Sequence, residues 1–285
     1  MFKSFFRQKS RASSQSTEAI SLEDAEGPSD EVIVAIGDIH GRADALARLL
    51  AAITPERISD RQSVSYVFLG DYIDRGSESC AVIDMLINWG QLHRSVFLMG
   101  NHEHSLMDFI EDPVGNAAWL DYGGIETLLS YNVALTPGLN NRRELYRIAE
   151  AIKYSISGQH QHFFDELTYS HLAGDYLFVH AGVYPDRPLS ANDEQSFLWM
   201  REPFLSGKRL YEKIIVHGHT ITKDFEPRSR PITGDCHRSV AGPSFNVRRM
   251  DGSRTGDLVM DHRRIIRTAK LENRDLGYNP RDRAR

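Results

Sequence analysis

The chain has 285 residues, 41% hydrophobic and 26% charged, which suits one large α/β domain with a tail and leaves no room for a second full core. A formal net charge of −5 and a pI near 6.2 exclude a general attraction to nucleic acid or anionic membranes, so any affinity for phosphate has to come from a local site. No apolar stretch reaches the length of a membrane span and no signal-peptide core is present. The two cysteines, Cys80 and Cys236, lack paired spacing and metal-ligand neighbours in sequence, which reads as two reduced thiols in a soluble, cytoplasmic protein.

Residues 1–30 read as a disordered leader: polar, Ser-rich, and closed by acidic residues with Gly27-Pro28. Phe2, Phe5 and Phe6 among Lys3, Arg7 and Lys9 offer at most one amphipathic turn. The folded domain is expected over 31–268. The apolar run Val32 to Ile36 predicts a strand that opens into Gly37-Asp38-Ile39-His40-Gly41, and Leu46, Leu49, Leu50 and Ile53 then recur at helical spacing. A second run, Val64 to Leu69, opens into Gly70-Asp71-Tyr72-Ile73-Asp74-Arg75-Gly76, followed by helical spacing at Val82, Leu86 and Trp89. A third, Val96 to Met99, opens into Gly100-Asn101-His102-Glu103. This alternation predicts a parallel sheet covered on both faces.

Residues 104–172 read as helix-rich, with a helix over 117–130 interrupted at Gly123-Gly124, and as an inserted cap that governs substrate choice. Within them Gln159-His160-Gln161-His162 reads as a surface helix start without Cys or carboxylate neighbours. Two later strands, Tyr176 to Val179 and Lys213 to Val216, lead into His180-Ala181-Gly182 and His217-Gly218-His219-Thr220, with Leu198-Trp199-Met200-Arg201-Glu202-Pro203-Phe204 between them. Residues 226–252 show little strand alternation and many charges. The chain ends in a polar tail, 269–285, where arginines alternate with acids.

Ligands of open α/β sheets sit beyond the carboxyl ends of the strands, so these motifs are expected to meet at one edge of one sheet. Carboxylate oxygens with imidazole nitrogens suit Mn²⁺, Fe or Zn²⁺, and one carboxylate between two such ions can bridge them. The pattern predicts a two-metal hydrolase.

Five motifs in this order resemble the phosphoprotein phosphatase family of the calcineurin-like metallophosphoesterases over about residues 31–225. The bacterial and phage serine/threonine phosphatase branch is the most similar, and Trp119 to Leu128 resembles it too. The resemblance implies a four-layer α/β sandwich, two β-sheets flanked by helices, with a helical insertion. It implies two divalent metal ions, Mn²⁺ by preference with Fe or Zn²⁺ as alternatives. Asp38, His40 and Asp71 would hold the first ion, and Asp71, Asn101, His180 and His219 the second. The wider superfamily often has a further His where this chain has Ile221, so the first ion would keep room for water. His217 has no family role and reads as a structural residue or a support behind a ligand, with a ligand role as the alternative.

The same resemblance assigns Arg75 and Arg201, with Asn101 beside them, to the substrate phosphate. It makes His102 the general acid and Asp74 the group that holds and charges its imidazole. The implied activity is a serine/threonine phosphoprotein phosphatase that hydrolyses phosphomonoesters by direct attack of a metal-bridging hydroxide. A symmetrical dinucleoside tetraphosphate hydrolase shares the metal motifs but usually lacks an acid equivalent to Asp74. A scaffold without activity would have no need for the complete ligand set together with His102. The implied partner is a phosphoprotein or phosphopeptide, with no nucleic acid, no stable membrane association and a monomeric chain.

Overall fold

A computed structural model describes residues 25–29, 31–59, 63–136, 141–207 and 211–220, and the backbone of short strands at 228–229, 239–241, 246–248 and 268–270. Strands β1 (Glu31–Ile36), β2 (Ser63–Phe68) and β3 (Ser95–Phe97) form a parallel sheet in the order β1-β2-β3, with Val34 opposite Tyr66 and Tyr66 opposite Ser95. Every residue of β1 is buried, as a strand covered on both faces requires. The crossovers are α1 (Ala43–Ala52) with the short α2 (Pro55–Ile58), then α3 (Ser79–Leu92). Leu46, Leu49, Val82, Ile83 and Leu86 lie fully in the core. Each such aliphatic side chain contributes about 1.5–3 kcal/mol by leaving water. Tyr66 buries its ring and donates its hydroxyl to the Ile53 carbonyl at 2.6 Å, fixing the end of α1 to the sheet.

A second sheet has the order β4-β5-β6-β8-β7, built from β4 (Ser170–Ala173), β5 (Tyr176–Val179), β6 (Ile214–His217), β7 (Arg228–Ser229) and β8 (Ser239–Ala241). The β5–β6 and β6–β8 pairs are parallel, while β4–β5 and β7–β8 are antiparallel. Strands β9 (Asn246–Arg248) and β10 (Thr268–Lys270) pair antiparallel next to β1.

Two expectations change here. The five motifs are divided between two sheets, three following β1–β3 and two following β5 and β6, so they meet between sheets and not on one edge. Periodicity could not separate the sheets because every one of these strands is a short apolar run. The stretch 226–252 does contribute strands, of two or three residues each, too short for alternation to register.

The helices after β3 are α4 (Asn101–Glu111), a 3-10 turn over Ala117–Tyr122, α5 (Gly124–Ser130), α6 (Arg142–Ser155) and α7 (Gly158–Asp165). Gly123 separates the 3-10 turn from α5 in a left-handed conformation, φ 109°, where the interruption was expected. These helices are not a separate cap. Leu106, Phe109, Trp119, Leu128, Ile148, Ile152 and Phe164 join Val34, Phe68 and Leu98 in one continuous core. A smaller apolar cluster, with Leu177, Val179, Met200, Phe204 and Ile215, lies against the second sheet near α8 (Glu194–Trp199).

Ordered packing begins before β1. Ala25 is buried, Glu26 donates its N–H to Asp175 at 3.0 Å, and the Asp175 N–H returns to the Glu26 carbonyl at 2.8 Å. No described helix is long and apolar enough to cross a membrane.

Candidate metal centre

Six described non-glycine residues have positive φ, and five of them are His40, Asp71, Asp74, Arg75 and His219. Left-handed backbone at a side-chain-bearing residue costs of order 1–3 kcal/mol, and strain of this kind collects where side chains must be aimed. The sharp turns after β1, β2 and β6 direct these side chains into the gap between the sheets.

The arrangement around His180 identifies one cation position. Its Nδ1–H donates to the Leu69 carbonyl at 2.7 Å. That points Nε2 at Asn101 Oδ1 (2.9 Å), His219 Nδ1 (3.1 Å) and Asp71 Oδ1 (3.4 Å). An amide oxygen, an imine nitrogen and a carboxylate are all acceptors, so the point on which they converge favours a positive charge. Burial disfavours a charged His180, yet Asp71 and Asp38 overcome this and raise it to about 9. Burial and the His180 charge lower His219 to about 3. The donor set therefore fits a divalent ion held by Asp71, Asn101, His180 and His219.

The second position lies on the other side of Asp71. His40 Nε2 is 3.6 Å from Asp71 Oδ2 and 4.0 Å from Asp38 Oδ2. Burial lowers His40 to about 3, which keeps its imidazole neutral and ready to ligate. Burial and the adjacent Asp71 raise Asp38 to about 6. For Asp71, burial opposes ionisation, but His180 and His102 hold the carboxyl well below its ordinary range. Asp38 Oδ1 accepts the His219 N–H at 3.1 Å, which links the two halves of the site. Asp71 is the one carboxylate placed toward both positions, as a bridge must be.

Arg75 reads out the tautomers. Its Nη1 is 2.9 Å from His40 Nε2 and its Nη2 3.0 Å from His102 Nε2. A guanidinium only donates, so both Nε2 atoms accept and the ring hydrogens sit on Nδ1. His40 Nδ1–H then donates to the Ile73 carbonyl at 3.0 Å, and His102 Nδ1–H to Asp74 Oδ2 at 2.6 Å. Burial works against protonating His102, but Asp71 and the Asp74 hydrogen bond raise it above the ordinary histidine value. Arg201 lies at the exposed rim, its Nη1 donating to Thr220 Oγ1 at 3.3 Å beside His219. All the residues expected at the site are thus gathered there.

His217 is buried, edge-on to Phe204 at 5.1 Å, and burial lowers it to about 4. Sequence reasoning did not assign Glu103, Trp119 or Thr127. Glu103 is fully buried, and its two oxygens accept the backbone N–H groups of Asp71, Tyr72, Ile73 and Gly100 at 2.7–3.1 Å. It ties the second motif to the third, and Gly100 has to be glycine because a Cβ there would strike the Asp71 amide. Trp119 Nε1–H and Thr127 Oγ1–H donate to the Asp74 carboxylate at 2.8 and 2.6 Å. Gly123, between them in sequence, accepts the Arg75 N–H at 3.2 Å and leaves no space for a side chain. A buried indole or hydroxyl usually finds a partner, but only the fold reveals that the partner here is Asp74.

Residues 32–247 match the family described as calcineurin-like phosphoesterase. The chain belongs to that family. Calcineurin-like phosphoesterases bind divalent metal ions, and the clusters around Asp71 are where this one can hold them. The phosphoesterase is 24% identical over 220 residues, covering 74% of both chains, to the asymmetrical bis(5′-nucleosyl)-tetraphosphatase PrpE of Oceanobacillus iheyensis. It is 37% identical over 70 residues to the serine/threonine-protein phosphatase BSL2 of Arabidopsis thaliana, a match covering 24% of this chain and only 7% of the plant protein's length. A yeast protein serine/threonine phosphatase with similarity to human PP5 superposes with a TM-score of 0.49 at 18% identity, covering 86% of this chain and 81% of that one.

Proposed function

We propose that this phosphoesterase is a serine/threonine phosphoprotein phosphatase, dependent on Mn²⁺ and acting on phosphomonoesters in proteins or peptides. The observation that carries the reading is the buried Asp74–His102 pair at 2.6 Å, with both Asp74 oxygens held by further donors. Divalent ions at the Asp71 clusters would supply Lewis-acid charge for the phosphoryl oxygens and an acidified water as nucleophile. Arg75, with two donors at the mouth of the site, and Arg201 at the rim bind and orient the phosphate. His102, whose Nε2 takes up a proton when Arg75 turns to the phosphate, gives that proton to the departing seryl or threonyl oxygen. Asp74 holds the ring by Nδ1–H and compensates the imidazolium charge. An alkoxide is a poor leaving group, so a dedicated acid is worth most on phosphomonoesters of alcohols.

A second reading is hydrolysis of dinucleoside tetraphosphates. It is favoured by the relative that matches three quarters of the chain and is named a tetraphosphatase. Its leaving group is already stabilised, which makes the supported acid pair less useful. Parallel turnover of a phosphothreonine peptide, diadenosine tetraphosphate and p-nitrophenyl phosphate with added Mn²⁺ separates the two. We expect kcat/KM on the peptide to exceed that on the dinucleotide by at least about tenfold, and the reverse order would overturn the reading.

A further inference from the structure

A second cluster of metal-ligating side chains lies away from the phosphoryl site, where sequence reading expected an isolated thiol and a surface histidine. Cys80 and Asp84 stand one turn apart on α3, and the fold brings His160 of α7 against them. The Cys80 sulfur, an Asp84 oxygen and a His160 ring nitrogen lie within 4.8 Å of one another. His160 Nε2 is 2.9 Å from Asp84 Oδ1, and its Nδ1 is 2.8 Å from the Tyr131 hydroxyl. His160 is buried, Cys80 half-buried and Asp84 exposed, so the ligands are held from the inside and reached from solvent. We propose that Cys80, Asp84 and His160 form a separate binding site for a thiophilic divalent cation of the Zn²⁺ class, with water completing the coordination.

The chemistry follows from the donor types. One sulfur, one imidazole nitrogen and one carboxylate oxygen match Zn²⁺, whereas the phosphoryl centre offers only nitrogen and oxygen and suits harder ions. Tyr131 can accept the Nδ1–H, which frees the His160 Nε2 lone pair for the ion and fixes the ring, as the outer partner of a ligating histidine does. Without an ion, burial and the Asp84 charge raise the Cys80 thiol. Binding therefore releases the thiol proton to solvent as the thiolate forms on the cation. A filled site would clamp α3 to α7, and through Tyr131 to the end of α5, the helix that carries the Thr127 contact to Asp74.

Co²⁺ titration of the metal-free full chain tests this without reading activity. Thiolate bound to Co²⁺ gives a near-ultraviolet charge-transfer band, which nitrogen and oxygen ligands do not. We expect the band in the wild type and in Cys236→Ser, and its loss in Cys80→Ser. Asp84→Asn, at an exposed position where folding is not at risk, should weaken binding by at least about tenfold, and added Zn²⁺ should displace the band. Circular dichroism and Mn²⁺-supported turnover of p-nitrophenyl phosphate, expected to be unchanged in Cys80→Ser, establish that this variant is folded. Absence of a thiolate band at saturating Co²⁺, its persistence in Cys80→Ser, or its loss in Cys236→Ser would each overturn the proposal.

Discussion

Replacing His102 by Asn tests the acid assignment, because its consequence depends on the substrate. In the variant, Asp74 keeps its bonds from Trp119 at 2.8 Å and Thr127 at 2.6 Å, so the buried carboxylate is not left bare. The folding loss is then about one charge-assisted hydrogen bond, roughly 1.5–3 kcal/mol, tolerable against a typical stability of about 5–15 kcal/mol. The rate loss should be larger. General acid catalysis contributes about 10² to 10⁴ in rate, or about 2.7–5.4 kcal/mol at about 1.36 kcal/mol per tenfold. Phenyl phosphate and phosphothreonine peptides should lose that much in kcat, while p-nitrophenyl phosphate, whose leaving group departs readily unaided, should lose clearly less. The structure also supplies a rival, because His102 Nε2 lies 4.0 Å from Asp71 Oδ2 and clusters with His40. Metal content per chain has to be measured alongside. Equal losses on good and poor leaving groups, or the loss of one equivalent of metal, would show that His102 organises phosphate or ligates an ion and is not the acid.

The other predictions follow the same contacts. Chelated protein should be inactive and recover better with Mn²⁺ than with Mg²⁺, because imidazole ligands favour the softer ion; Asp71→Asn should be the most damaging ligand change in a turnover assay at saturating Mn²⁺. Trp119→Phe and Thr127→Val should reproduce the leaving-group ranking of His102→Asn with smaller losses, since each removes one donor from Asp74. Glu103→Gln leaves two backbone N–H groups facing an amide N–H₂, a destabilisation of about 2–6 kcal/mol at roughly 1–3 kcal/mol per orphaned donor, readable as a lower urea midpoint. Asp175 lies below its ordinary value, because the Glu26 N–H and Lys213 outweigh the opposing effect of burial. Its contribution is therefore present above the usual carboxylate range and lost as pH falls through the depressed value. The urea-midpoint gap between wild type and Asp175→Asn should narrow on acidification below about pH 4.

What the sequence made legible follows from where each interaction is encoded. Asp38, His40, Asp71, Asn101, His180 and His219 each lie just beyond a short apolar run, so strand periodicity and motif spacing place them without knowledge of the tertiary fold. The sheet each strand joins is a different matter. β3 and β5 read alike as runs of apolar residues, and only pairing partners distant in sequence assign them to different sheets. Contacts made across long sequence separations were likewise silent. Trp119 and Thr127 reach Asp74 from 45 and 53 residues away, and His160 reaches Asp84 from 76.

Those silent contacts assign a role to the helices after β3 that an independent cap could not play. The indole, the hydroxyl and the Gly123 carbonyl belong to one stretch of chain and fix Asp74 and the Arg75 backbone together. They orient the proposed acid pair and the proposed phosphate clamp as one unit. Because Asp74 and Arg75 both sit in left-handed backbone, neither would hold its direction on local preference alone. Packing of Trp119 and Leu128 into the common core is what stabilises that turn. Substitutions in this core, far from any metal ligand, should therefore lower kcat before they lower metal affinity.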